Sequence, residues 1–229
     1  MQLLEIKPDD LVLLAALTDR YPIRVDLVYA KPAHPQNMFH EAIYREDAGM
    51  WGHRDFVPII LRAAQQCHRE HGLMFELKDC LRTTEAQQKI CDSAIVRAHP
   101  QWLEEPRLFS TPGKGGHPRG MAIDIILIDA NGDKIDMGTE FDYLTEDKSN
   151  NPAARDYRDF GRGDAYNQMV LKNRQILEQS MMQAAASWGR DILPLPEEWW
   201  DFRFPNAFTG QYIPVSDATL PPHMRMTHI

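Results

Sequence analysis

Cysteine is scarce in this chain. Its three residues, Cys67, Cys80 and Cys91, form an odd set with no Cys-x-x-Cys spacing. That excludes a disulfide framework as the organiser of the fold and offers no zinc–thiolate site. Basic runs are equally scarce. None exceeds a couple of residues and the formal net charge is −8, so neither nucleic acid nor an anionic membrane is an expected partner. The acidity is spread along the chain and reads as solubility. No stretch approaches the roughly 18 apolar residues of a membrane-crossing helix. The N-terminus carries Glu5, Asp9 and Asp10 where a signal peptide would be apolar, so the expected location is cytoplasmic, or periplasmic if a leader has been removed. Motifs of the His-Glu-x-x-His, Gly-x-Ser-x-Gly, P-loop and Gly-x-Gly-x-x-Gly kinds are missing. No Gly/Ser-rich or Pro-rich linker, repeat or low-complexity tract divides the chain, so residues 1–229 are expected to form one domain.

What remains is an ordinary globular composition, 43% hydrophobic and 25% charged, enough for a sizeable core. The segment IRVDLVYA (23–30) alternates apolar and polar residues and predicts a strand. Phe56, Ile60, Ala64 and Cys67 fall at helical spacing before Gly72, which predicts an amphipathic helix with a glycine stop. LMFELKDCLR (73–82) predicts the next strand. Thr84 followed by Gln87 is a capping-box signature for a second helix. MAIDIILID (121–129) runs into the turn signal ANGD, and KIDMGTEF predicts a returning hairpin strand. YNQMVLKNRQILEQSMMQAAASWG predicts the longest helix, with Met169, Ile176, Met181 and Ala185 on its apolar face. EEWWDFRF predicts a short aromatic strand. The set implies an α+β fold: a single domain with an antiparallel sheet packed with helices.

Four stretches could carry chemistry. In GGHPRGMAIDIILID, His117 and Asp124 lie seven residues apart with Gly120 and Ala122 between them. A loop histidine leading to a carboxylate early on a buried strand can place both on one metal ion, and an N/O donor pair suits zinc. The alternative is a turn histidine and a structural aspartate, although Asp124 lies in an apolar run where an unpartnered charge is costly. In PEEWWDF, Glu198 and Asp201 flank Trp199 and Trp200. A carboxylate held against indoles is partly desolvated, which raises its proton affinity towards that of a general base; the alternative is a solvated edge beside a core tryptophan. Arg82 ends a predicted strand and could bind a substrate carboxylate or an oxyanion, or merely pair at the surface. In DMGTEFD, Asp142 could read a cationic group such as a substrate ammonium, or bond to its own turn.

In their order along the chain these stretches resemble the zinc D-alanyl-D-alanine dipeptidases of the vancomycin-resistance type, relatives of the D-Ala-D-Ala carboxypeptidases. His117, Gly120, Ala122 and Asp124 match His-x-x-Gly-x-Ala-x-Asp, and Met137 to Asp142 match Met-Gly-Thr-x-Phe-Asp. IRVDLVYA with NMF, KNRQILEQSM and PEEWWDF resemble three further family segments, so the likeness covers about residues 23–204 of the metallopeptidase domain. The resemblance implies one Zn2+ per chain held by His117, Asp124 and the residue at position 201. It also implies Glu198 as general base, Arg82 on the oxyanion, Asp142 on the substrate ammonium, and Tyr29 lining the pocket, with a small D-amino-acid dipeptide as substrate. Two positions depart from the pattern: Gly115 replaces a serine, and Asp201 replaces the third metal histidine. A His/Asp/Asp set is harder and leans towards Mn2+. Three outcomes follow from it: a working altered site, a non-catalytic or weakly active peptide-binding member, or a substitute histidine from the tail PPHMRMTHI. A D,D-carboxypeptidase acting on longer peptidoglycan stems is the alternative enzyme.

Overall fold

The computed structural model describes residues 2–105 and 107–228. In chain order the strands and α-helices are β1 (Leu11–Leu13), β2 (Ile23–Val25), β3 (Trp51–His53), α1 (Val57–His71), β4 (Met74–Asp79), α2 (Thr84–Asp92), α3 (Ala94–Ala98), β5 (Ala122–Ile128), α4 (Asp164–Ser187), β6 (Leu193–Pro194), β7 (Asp201–Arg203) and α5 (Asn206–Thr209), joined by short 3-10 turns. Five strands form one sheet in the order β2-β4-β5-β7-β6, and β1 pairs with β3 apart from it. All sheet pairings are antiparallel except β2 with β4, which is parallel. The fold is α+β, as the sequence implies.

Strand β5 is the spine. All seven of its residues are buried, with β4 on one edge and β7 on the other. Helix α1 packs on β4 and on α4, burying Ile59, Ile60, Ala63, Ala64 and Cys67. It stops as expected: Gly72 takes the left-handed conformation at φ 71°, and its N–H donates to the His68 carbonyl at 2.8 Å.

Several elements differ from expectation. The strand at 23–30 ends at Val25, and Val28–Ala30 is a 3-10 turn. Between them, Asp26 turns to accept from the buried Lys78 Nζ at 2.7 Å. The cap of α2 is Thr83, whose Oγ1 accepts from the Ala86 N–H, and the helix breaks at Ser93, which caps α3. KIDMGTEF forms no hairpin strand. Strand β7 covers β5 only at Ala122–Asp124, and of the expected strand only Lys134 bridges to Ile128; the following residues loop towards α4. There Asn173 Nδ2 donates to the Asp136 carbonyl and Arg174 Nε to the Met137 carbonyl, each at 2.8 Å. The buried face of α4 holds Met181 and Ala185 as expected, together with Val170, Arg174, Leu177, Ser180 and Ala184; Ile176 is partly buried against the core, and Met169 is 41% exposed. Arg174 occupies the inner stripe because backbone carbonyls absorb its donors, a role that an apolar periodicity does not reveal.

Candidate active site

The site forms where β4, β5 and β7 meet. Asp124 and Asp201 are register partners across β5 and β7, so the ladder itself sets two carboxylates side by side. His117 enters from a 3-10 turn, His117–Arg119, with Pro118 in its first position. Gly120 closes that turn at φ 61°, and a Cβ there would lie 2.9 Å from the His53 backbone nitrogen. Glycine is what allows this close approach.

His117 Nδ1 donates to the Cys80 carbonyl at 2.7 Å, which turns Nε2 towards the acids. Nε2 lies 3.2 Å from Asp201 Oδ2 and 3.6 Å from Asp124 Oδ1. Burial pulls the imidazolium towards neutrality, but Asp124 and Asp201 outweigh it and push the pKa up to about 10. Two carboxylates converge on one ring nitrogen, an arrangement balanced by a proton on His117 or by a metal ion in its place. Asp124 Oδ1 is buried with no hydrogen-bond partner among the described residues. Burial raises the Asp124 carboxyl, against the pull of His117.

These donors fit a divalent ion. Donors about 2.0–2.1 Å from a tetrahedral zinc stand about 3.3–3.4 Å from one another, close to the two distances above. A metal-bound histidine characteristically gives its other N–H to a carbonyl, as His117 gives Nδ1–H to Cys80. Asp201 has a second partner that bears on this. Arg203 donates from Nε to Oδ1 at 2.7 Å and from Nη2 to Oδ2. Burial alone would raise the Asp201 carboxyl; Arg203 and His117 instead hold it well below the usual range.

Glu198 is half-buried, and its carboxylate lies within 4.8 Å of those of Asp124 and Asp201. Burial, reinforced by these two acids, raises its pKa well above the ordinary value. Trp199 and Trp200 are buried, so this segment is not a solvated edge, although neither indole lines the site. Arg82 donates from both Nε, at 2.9 Å, and Nη2 to Asp79 Oδ2 and from Nη1 to Gln87 Oε1 at 3.1 Å, and Nη2 also lies 3.9 Å from Asp124 Oδ2. It is no surface pairing partner. Asp142 accepts from the Tyr29 hydroxyl at 2.5 Å, not from its own turn, and sits in the left-handed region at φ 62°. Burial pushes its carboxyl up to about 7, against the Tyr29 hydrogen bond.

A cleft of about 850 Å³ is lined by Arg82, His117, Asp124, Asp142, Glu198 and Asp201 among others. Tyr29 is buried and is not part of the lining; it touches the cleft residues Asp142, by its hydroxyl, and Arg82, by its ring. The tail histidines contribute nothing to the lining: His223 packs edge-on against Trp51 at 6.5 Å, and His228 is exposed. The substitute ligand expected from the tail is therefore not there.

The pattern of the D-ala-D-ala dipeptidases, M15 peptidases, matches residues 22–218. The chain belongs to that family. Its D-alanyl-D-alanine dipeptidase relative from Escherichia coli (strain K12) is 27% identical over 196 residues, 83% of this chain and 86% of that protein. Among solved structures, the Serratia marcescens L-Ala D-Glu endopeptidase ChiX is 14% identical with a TM-score of 0.39, covering 69% of this chain and 83% of its own. The present M15 peptidase is thus a hydrolase of peptides.

Two residues of this peptidase's site escape motif reading. Asp79, fully buried, holds Arg82 and lies 3.8 Å from His117 Nδ1. Its signal was the charged run Glu76-Leu-Lys-Asp79 inside an apolar strand. Arg203 lies two residues after Asp201, so strand alternation puts both side chains on one face.

Proposed function

We propose that this M15 peptidase hydrolyses D-alanyl-D-alanine or a similar short D-amino-acid dipeptide, using a divalent ion held by His117, Asp124 and Asp201, with Glu198 as general base. The observation that carries this reading is the buried Asp124 oxygen that has no hydrogen-bond partner among the described residues and lies 3.6 Å from His117 Nε2 beside Glu198. A bound ion there supplies Lewis acidity to the scissile carbonyl and to water. Zinc suits the histidine, and the two carboxylates widen the choice towards Mn2+.

The protein's own groups do the rest. Glu198, raised by burial and by its acid neighbours, takes a proton from the attacking water and passes it to the leaving amine. Arg82, fixed by Asp79 and Gln87, presents its remaining N–H groups to the oxygen on which charge develops. Asp142, backed by Tyr29, holds the substrate ammonium. Trp199 and Trp200 keep the local dielectric low, which strengthens these interactions.

Protein loaded with zinc, and separately with manganese, is expected to release D-alanine from D-Ala-D-Ala. Glu198→Gln abolishes the release while metal stays bound; full activity in that variant refutes the role of Glu198. A pentapeptide stem run beside the dipeptide separates dipeptidase from D,D-carboxypeptidase, because an ammonium clamp at Asp142 rejects the longer chain. One observation favours a second reading, a peptide-binding member without metal: Arg203 engages both oxygens of Asp201. That reading predicts no metal in the purified protein, and ligand-induced stabilisation without turnover.

A further inference from the structure

We propose that Arg203 is a substrate-binding residue that grips the free C-terminal carboxylate of the peptide through Nη1 while its other two nitrogens hold Asp201. The proposal rests on the dipeptidase reading above. The Arg203 side chain is only 13% exposed, yet it lines the cleft. Its Nε and Nη2 are spent on Asp201, whereas Nη1 has no hydrogen-bond partner among the described residues. A guanidinium stays charged under all ordinary conditions. An unspent edge of one, turned to a cleft, is a preformed seat for a carboxylate.

The space in front of that edge is open for a physical reason. Gly115 stands beside it at φ 81°, and a Cβ at that position would lie 3.5 Å from both Arg203 Nη1 and Ser110 Oγ. No side chain projects there, so the guanidinium edge and the serine hydroxyl border one small polar recess. Arg119 fixes the loop that makes it. Its Nη1 donates to the Gly113 and Gly115 carbonyls at 3.0 Å, and its Nε to the Tyr212 carbonyl at 2.9 Å. Those bonds hold Nε and Nη1 of Arg119 on backbone carbonyls. Lys114 is exposed, where water and salt screen its charge.

The order of contacts places this seat sensibly. From Asp142 and Tyr29, contacts run through Arg82 to Asp124, His117 and Asp201, and end at Arg203. An anion for an ammonium stands at one end and a cation for a carboxylate at the other, with the hydrolytic groups between. A zwitterionic dipeptide presents the complementary pair. The same guanidinium thus links the two departures from the family pattern, Gly115 and Asp201.

The test is equilibrium binding by calorimetry in the Glu198→Gln background, comparing D-Ala-D-Ala with its C-terminal amide. With Arg203 present the acid is expected to bind about 10- to 100-fold tighter, the worth of one charge-assisted hydrogen bond. Arg203→Met should bring the ratio to within about threefold of unity. Arg203→Lys, which keeps a cation beside Asp201 but lacks the second nitrogen, should lose most of the ratio and guards against misfolding of the first variant. Lys114→Ala should leave it unchanged. A merely structural Arg203, or metal lost through a freed Asp201, weakens acid and amide alike and leaves the ratio intact. A ratio that survives in both Arg203 variants, or equal binding of acid and amide with Arg203 present, overturns the proposal. Wild-type turnover of D-Ala-D-Ala, run in parallel, tells the failures apart. Turnover with a ratio indifferent to Arg203 sinks this role alone; no turnover and no binding sinks the dipeptidase reading with it.

Discussion

Asp142 is a carboxylate kept where it is costly, and replacing it by asparagine measures the cost. Burial, with Asp124 and Asp79 adding to it, pushes its carboxyl up to about 7 despite the Tyr29 hydrogen bond. In the unfolded chain an aspartate titrates near 3.9. Because the folded value is the higher one, the folded protein holds its proton more tightly. Stability is then undiminished below about pH 4, falls as pH rises to about 7, and stays reduced above it. About three pKa units at ~1.4 kcal/mol each set a ceiling of about 4 kcal/mol, and partial solvent access brings the expected figure to about 1–3 kcal/mol. Asparagine keeps the shape, accepts from Tyr29, tolerates the left-handed backbone at φ 62° and cannot ionise. Urea denaturation of chelator-treated protein should find Asp142→Asn within about 0.5 kcal/mol of wild type near pH 4 and more stable by about 1–3 kcal/mol near pH 8. The variant should bind dipeptide less well at both. An equal stability difference at the two pH values, or a loss of stability near pH 8, refutes the claim that ionised Asp142 is paid for by the fold.

Gly120→Ala forces a Cβ to 2.9 Å from the His53 nitrogen at a left-handed φ, so denaturation should register a loss of about 1–3 kcal/mol; an unchanged midpoint contradicts the tight turn. Asp201→His removes the partner of Arg203 and restores a neutral second imidazole. Metal analysis after dialysis should find more zinc and a smaller manganese share than in wild type, and a fall in zinc would mean that Asp201 is the better ligand in this setting.

Much of the site was legible because its spacing is local. His117 and Asp124 reach one place through a single tight turn and the start of one strand, and Glu198 reaches it from a segment of seven residues. The α+β class and the glycine stop of α1 were legible for the same reason. What stayed hidden depends on partners far along the chain. The parallel pairing of β2 with β4 follows from a crossover through α1. The missing hairpin follows from the chain after Lys134 being drawn to α4, where Asn173 and Arg174 bind the Asp136 and Met137 carbonyls. The burial of Arg174 in α4 depends on carbonyls at Met137, Pro152 and Ala154. Arg203 was in plain sight two positions after Asp201, but its role depends on a glycine 88 positions earlier.

The register of β7 against β5 has a consequence for folding fidelity. Ala122 faces Arg203, Ile123 faces Phe202, and Asp124 faces Asp201. A slip of one residue would set Trp200 or Phe202 opposite Asp124 and send Arg203 to the other face of the sheet. Strand β6 at Leu193 and Pro194 and the Arg155 hydrogen bond to the Asp201 carbonyl hold the same alignment, so the site residues come together in the same event that aligns the strand. On the proposed metal reading, recovery of metal binding after refolding reports strand alignment directly, and a misaligned population would bind none.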